Sequence, residues 1–210
     1  MPGPLSHGPA LQRQQGLYRQ RGWLLLPGFL PPDLASAWEV CSRDLPLRTV
    51  HVDGPGGELW LEQGGPALHS RLGFPFREPA LRQHLAALAA VQAFDPERDQ
   101  LWINRYRPGN RVPLHRDHEG DTQLLICLQG LPQPQLGGDL ELEGEPVPLA
   151  AGDALLFAAT RLRHGTSRIG AERLHRSGYS RVVLVLRLFG GDPGPVVANP
   201  TARSQLLESG

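Results

Sequence analysis

The chain has 210 residues, enough for one domain with a full core. Its 21 basic and 21 acidic side chains give a formal charge of zero, which excludes a global attraction to a polyanion but not a local basic groove. Two cysteines, Cys41 and Cys127, exclude a disulfide scaffold, and no apolar run suits a membrane helix or a signal segment: Trp23-Leu24-Leu25-Leu26 stops at Pro27 and Gly28. A soluble cytoplasmic protein is expected, with oligomeric state left open.

The first third reads as mainly helical. Leu11 to Gln20 is a polar helix stopped by Gly22, and Trp23 to Leu26 is a short buried strand. Pro31-Pro32-Asp33 starts a helix through about Leu45, with Leu34, Trp38 and Cys41 on one face. Residues 48–75 are glycine-rich and irregular, with Leu59-Trp60-Leu61 as their apolar knot; they are either a substrate lid or a wrapping loop. Pro79 opens another helix, whose buried face carries Leu81, Leu85 and Leu88.

From Leu101 the pattern changes to short strands: Leu101 to Tyr106, Thr122 to Leu128, Leu140 to Glu143, Val147 to Leu149, Ala154 to Phe157 and Arg181 to Phe189. Turns at Pro108-Gly109-Asn110, Leu136-Gly137-Gly138-Asp139 and Ala151-Gly152-Asp153 separate them. Cys127, inside the second run, reads as a buried free thiol. Helices first and strands after give an α+β chain with a jelly-roll core. One domain over 1–190 is expected, helical over about 1–95 and strand-built over about 100–190. The Gly- and Pro-rich stretch 191–210 is a surface tail.

His115-Arg-Asp117 carries the chemistry. Residues two apart in a strand share a face, so His115 and Asp117 can aim at one ion, and His164, 49 residues on, closes the triangle if the sheet folds back. Two imidazoles and a carboxylate are the ligand set of a non-haem Fe(II) oxygenase, with positions left open for cosubstrate and O2. His-x-Asp is nevertheless a short pattern; His118 is an alternative neighbour, and His51, His69, His84 and His175 compete for notice. Arg181 and Arg187 flank Val-Val-Leu-Val-Leu on one strand face, alternating with Val182, Leu184 and Leu186. Two arginines turned into an apolar barrel require anions; turned outward they are a solvated face.

Taken together, Asn104-Arg105-Tyr106 with Pro108-Gly109, His115-Arg-Asp117-His-Glu119, Gly152-Asp153, His164 and Arg181 to Arg187 resemble the Fe(II)/2-oxoglutarate-dependent dioxygenase superfamily, and several of these motifs its AlkB branch. The resemblance spans about half the chain. Leu136-Gly137-Gly138-Asp139-Leu140 looks more like the prolyl-hydroxylase-like branch, and Val183 stands where the AlkB branch usually has Asn. The resemblance implies a double-stranded β-helix with the N-terminal helices packed on it. It further implies iron on His115, Asp117 and His164, and the distal carboxylate of 2-oxoglutarate on Arg181. Asn104 and Tyr106 would hydrogen-bond the cosubstrate, and Arg187 would stand near its chelating end. Fe(II), 2-oxoglutarate and O2 are then the cofactors, with no catalytic group beyond the metal ligands.

The reaction implied is hydroxylation of an unactivated C–H in a small metabolite, amino acid or peptide, a class chosen for the zero net charge and the Gly-Gly-Asp motif. The alternative is demethylation of an alkylated nucleobase, so nucleic acid stays a partner that is not favoured; a non-enzymatic cupin-type binding module is the third class. Arg105, Arg107, Arg111 and Arg116 are either a rim for an acidic group or a solvated strand edge. Residues 161–176 are a linker able to cover the site, and Trp60 and Trp102 either line a pocket or pack.

Overall fold

The computed structural model describes residues 8–51, 60–64, 74–130, 136–170 and 180–190, with backbone alone for 49–51, 60–64 and 74. Among the described residues three α-helices precede most of the strands: α1 (Pro9–Arg21), α2 (Pro32–Arg43) and α3 (Pro79–Leu88). Each has proline in its first turn, where the missing N–H costs no hydrogen bond. α1 ends at Gly22, whose N–H donates to the Tyr18 carbonyl.

Eleven strands form two antiparallel sheets among the described residues. They are β1 (Trp23–Leu26), β2 (Arg48–His51), β3 (Trp60–Gly64), β4 (Gln100–Tyr106), β5 (Val112–His115), β6 (Thr122–Gln129), β7 (Leu140–Leu142), β8 (Glu145–Val147), β9 (Ala154–Phe157), β10 (His164–Thr166) and β11 (Arg181–Leu188). The larger sheet runs β1-β9-β6-β11-β4-β3-β2, and the smaller β5-β10-β7-β8. The arrangement is α+β and jelly-roll-like, as the pattern of elements implies.

Alternation along the strands explains the layers. On β11, Val182, Leu184, Leu186 and Leu188 join the core beneath the helices with Leu101, Ile103, Leu124, Ile126 and Leu156, and with Tyr18, Trp38, Leu85 and Leu88. The opposite set, Val183 and Val185, packs between the sheets with Tyr106, Leu125, Leu155, Phe157, Leu140 and Leu142. Because β6 and β11 are buried on both faces, they read as continuous apolar runs.

Four expectations are corrected. The buried stripe of α2 is Ala35, Trp38, Glu39 and Ser42, whereas Leu34 and Cys41 face outward. The polar members are satisfied: Ser42 donates to the Glu39 carbonyl, and Arg105 donates to the Ser42 carbonyl. Residues 48–75 are not wholly irregular, since β2 and β3 pair with each other and β3 pairs with β4; residues 52–59 and 65–73 lie outside the described residues. The strand placed at Val147 to Leu149 is β8, ending at Val147. β1 is an edge strand in which only Leu24 is buried. The tail 191–210 and residues 171–179 are outside the described residues. No helix among those described is long and apolar enough to cross a membrane.

Candidate metal centre

β10 lies between β5 and β7, and its register sets His164 directly opposite His115. Asp117 sits two residues past the end of β5, where its backbone N–H donates to the Ala159 carbonyl at 3.0 Å. The strand-parity argument for His115 and Asp117 therefore gives the right neighbours by a different route: His115 is the last strand residue and Asp117 belongs to the turn after it. The ligand atoms of His115, Asp117 and His164 all lie within 4.8 Å of one another.

The protonation pattern suits a cation. Nδ1 of His115 is 2.9 Å from the Pro113 carbonyl, and Nδ1 of His164 is 3.1 Å from that of Leu162. A carbonyl only accepts, so each Nδ1 carries the proton and each Nε2 turns a lone pair inward. Both Nε2 atoms face the same oxygen, Asp117 Oδ1, at 3.5 Å and 3.7 Å. The other oxygen, Oδ2, accepts from Arg187 Nη2 at 2.9 Å and from Gln123 Nε2.

Burial acts against charge on all three groups, and their neighbours decide the outcome. At Asp117 burial pushes the carboxyl up, but His115, Arg187 and His164 outweigh it and hold the carboxyl down at about 2. At His115 burial favours the neutral ring, yet Asp117 and the Pro113 carbonyl raise it overall. At His164 burial prevails and the value is lowered.

The large sheet supplies a floor of facing side chains. Register pairs Arg187 with Gln123 and Gln100, Val185 with Leu125 and Trp102, Val183 with Cys127 and Asn104, and Arg181 with Tyr106. Arg187 and Arg181 thus stand at opposite ends of one strand face, about 20 Å apart along the backbone. Arg187 gives Nη1 to Gln100 and to Glu119, both at 3.0 Å. The turn over it passes through Gly120, where a Cβ would come within 2.5 Å of the Arg187 side chain. Arg181 is 4% exposed, lies over the Tyr106 ring, and has Nη1 and Nη2 buried with no hydrogen-bond partner among the described residues. Asn104 donates to the Tyr106 hydroxyl at 3.2 Å. Arg181 also lines a cavity of about 310 Å³ with Gly137, Gly138, Leu140 and Leu149. A larger cavity of about 460 Å³, between Phe76, Arg82, Asp99 and Leu186, shares no residue with the metal centre.

Of the arginines read as either a rim or a solvated edge, Arg105 and Arg116 are engaged within the chain. Arg105 faces α2, and Arg116 donates to the Arg161 carbonyl with Glu143 at 3.9 Å. Arg111 is half-buried, with Nε and Nη2 buried and without hydrogen-bond partners among the described residues, so it is not a solvated edge. Trp102 packs in the core between the sheets and has the Arg187 guanidinium over its ring. Sequence reasoning missed Gln123. The available signal was a lone amide inside the apolar run Thr122 to Leu128.

No protein-family model matches this sequence, and no curated protein matches it. Solved structures do match. An oxidoreductase of the 2OG-Fe(II) oxygenase family from Burkholderia pseudomallei is 15% identical, with a TM-score of 0.68 over 88% of this chain and 92% of that one. A Pseudomonas putida prolyl-4-hydroxylase is 20% identical, with a TM-score of 0.65 over 87% of this chain and 100% of that one. HygX from Streptomyces hygroscopicus, solved with nickel and 2-oxoglutarate, is 16% identical, with a TM-score of 0.60 over 85% and 87%. These likenesses do not bear on the AlkB-like motifs. Two antiparallel sheets under N-terminal helices, with a His-Asp-His cluster between strand ends, thus carry the fold of the 2-oxoglutarate- and Fe(II)-dependent oxygenases.

Proposed function

We propose that residues 1–190 form one Fe(II)- and 2-oxoglutarate-dependent dioxygenase domain, a double-stranded β-helix that hydroxylates an unactivated C–H of a small metabolite, amino acid or peptide. One observation carries the reading: on the same face of the large sheet, the turned-in Asp117 cluster stands at one end, and at the other the buried Arg181, whose Nη1 and Nη2 have no hydrogen-bond partner among the described residues. A buried arginine without an anion is costly, and a dicarboxylate bound at the cluster supplies the anion.

The residues fit the absent groups. Two neutral Nε2 donors and one carboxylate oxygen suit Fe(II), with positions left open. When bound, iron with 2-oxoglutarate and O2 supplies the oxidant, and cosubstrate leaves as succinate and CO2. The chain itself does the rest. His115, His164 and Asp117 hold the metal, and Arg181 anchors the distal carboxylate. Asn104 and the Tyr106 hydroxyl, already linked, offer polar atoms along the floor. Arg187 holds Asp117 at the chelating end. Val183, Val185 and Leu125 keep water from the floor between the two ends.

The small-molecule or peptide class is supported by the zero net charge and by the neighbours, among them a prolyl-4-hydroxylase. Arg105 and Arg116, engaged within the chain, weigh against the alternative, oxidative demethylation of alkylated nucleobases, where phosphate contacts call for free basic side chains. The test is succinate formation by iron-loaded protein from 2-oxoglutarate, with His115→Ala as control, across amino acids, peptides and methylated oligonucleotides. Stimulation by amino acids or peptides is expected. Stimulation by the oligonucleotides alone transfers the assignment to the alternative, and no turnover despite bound iron overturns the enzyme.

A further inference from the structure

The Asp117 carboxylate is held from behind by two donors on adjacent strands. Arg187 on β11 and Gln123 on β6 are cross-strand partners, and both donate to Oδ2. We propose that Gln123 is a positioning residue of the metal centre: with Arg187 it holds Asp117 Oδ2, leaving Oδ1 as the one carboxylate oxygen turned toward the ion. The proposal rests on the iron reading above and deepens it.

Three observations support it. Gln123 is 4% exposed in a strand whose other inward side chains, Leu125 and Cys127, are apolar. A buried amide costs free energy unless it is bonded, so an aliphatic residue would serve packing better at that place. Next, Arg187 is shared: Nη1 serves Gln100 and Glu119, which leaves Nη2 for Asp117. One donor on Oδ2 defines a hinge about which a carboxylate can rotate; two donors converging on the same atom fix its plane. Last, the consequence is chemical. A carboxylate that binds a metal through both oxygens takes two coordination positions, and one restrained to Oδ1 takes one. The position so kept free is needed by a cosubstrate that chelates.

The test uses the full chain and Co(II), whose visible absorption reports coordination number. Wild type, Gln123→Met and Gln123→Asn are titrated with Co(II), and 2-oxoglutarate is then added. Methionine keeps the volume without a donor, and asparagine keeps the amide one methylene short. Expected are near-wild-type melting of both metal-free variants, Co(II) affinity about 10- to 100-fold weaker, an altered band, and a smaller response of that band to 2-oxoglutarate. Wild-type affinity and band in both variants overturn the role of Gln123 while leaving the metal site intact. If Gln123→Met does not fold, Gln123→Asn decides by the same readings. A wild-type chain that takes up no Co(II) overturns the iron reading itself.

Discussion

Arg181 is the residue whose surroundings make least sense without a ligand. The residue is 4% exposed, and both terminal nitrogens are buried without hydrogen-bond partners among the described residues. A structural arginine would have been paired, so removing the charge should not harm the empty protein. Arg181→Met is expected to melt at or above the wild-type temperature while 2-oxoglutarate binding weakens by about 2–5 kcal/mol, the usual loss for one partner of a buried charged pair. Calorimetry on both proteins checks this; a variant that is destabilised yet binds 2-oxoglutarate normally sinks the assignment. Asp117 gives a second prediction. Its carboxyl is held at about 2 against an ordinary 3.8, so it stabilises the metal-free fold above the ordinary value and ceases to do so as pH falls toward 2. The stability difference between wild type and Asp117→Asn, followed by urea unfolding, should shrink by about 2 kcal/mol between pH 5 and pH 2. A difference flat in pH would mean that His115, Arg187 and His164 do not hold the carboxylate.

At the scale of elements, what the sequence made legible depended on whether one face or two were buried. β11 alternates as read, so parity puts Arg181 and Arg187 on one face; parity leaves open whether that face turns inward, and its packing with Val183 and Val185 between the sheets is what decides it. α2 was misread because both of its faces carry apolar residues. Leu34 and Cys41, read with Trp38 as one stripe, face outward, and the face that packs carries Trp38 with Ala35, Glu39 and Ser42, the last accepting from Arg105. That pairing spans 63 residues and is invisible in local pattern. The His115, Asp117 and His164 cluster was legible through motif and order; Gln123 was not, because a buried amide in an apolar strand has no motif. β10 shows how tightly an element can depend on one position. A Cβ on Gly165 would meet the Val112 carbonyl oxygen at 2.6 Å and the Leu114 nitrogen at 3.1 Å, both backbone atoms of β5. Gly165 therefore lets β5 approach closely enough for His115 to stand opposite His164. Gly165→Ala is expected to destabilise by about 1–3 kcal/mol through overpacking, and to weaken metal binding as β5 moves away. Thermal unfolding and a metal titration read the two effects. Unchanged values for both would show that β5 has room to spare.

In the whole molecule the site is a joint between the two sheets. His115 and His164 belong to the small sheet, Arg187 and Gln123 to the large one, and Asp117 lies on the connection from β5 to β6. On the proposed reading, a metal at this place would tie the layers together, and a dicarboxylate reaching from it to Arg181 would extend the tie along the floor. Ligands that bind only the folded chain stabilise it by mass action, about 2.7 kcal/mol at a concentration of 100 Kd. For a chain of this size that corresponds to a rise in melting temperature of roughly 5–10 °C. The pattern of shifts is more telling than their size. Metal alone should raise Tm, 2-oxoglutarate alone should do little, and the two together should exceed the sum, because the cosubstrate gains its second anchor only when the first is in place. His115→Ala should abolish the whole response. Arg181→Met should keep the rise from metal and lose the further rise from 2-oxoglutarate. If 2-oxoglutarate stabilises Arg181→Met as it does wild type, the two ends of the β11 face are not spanned by one ligand, and the anion for Arg181 has to be sought in the cavity beside it.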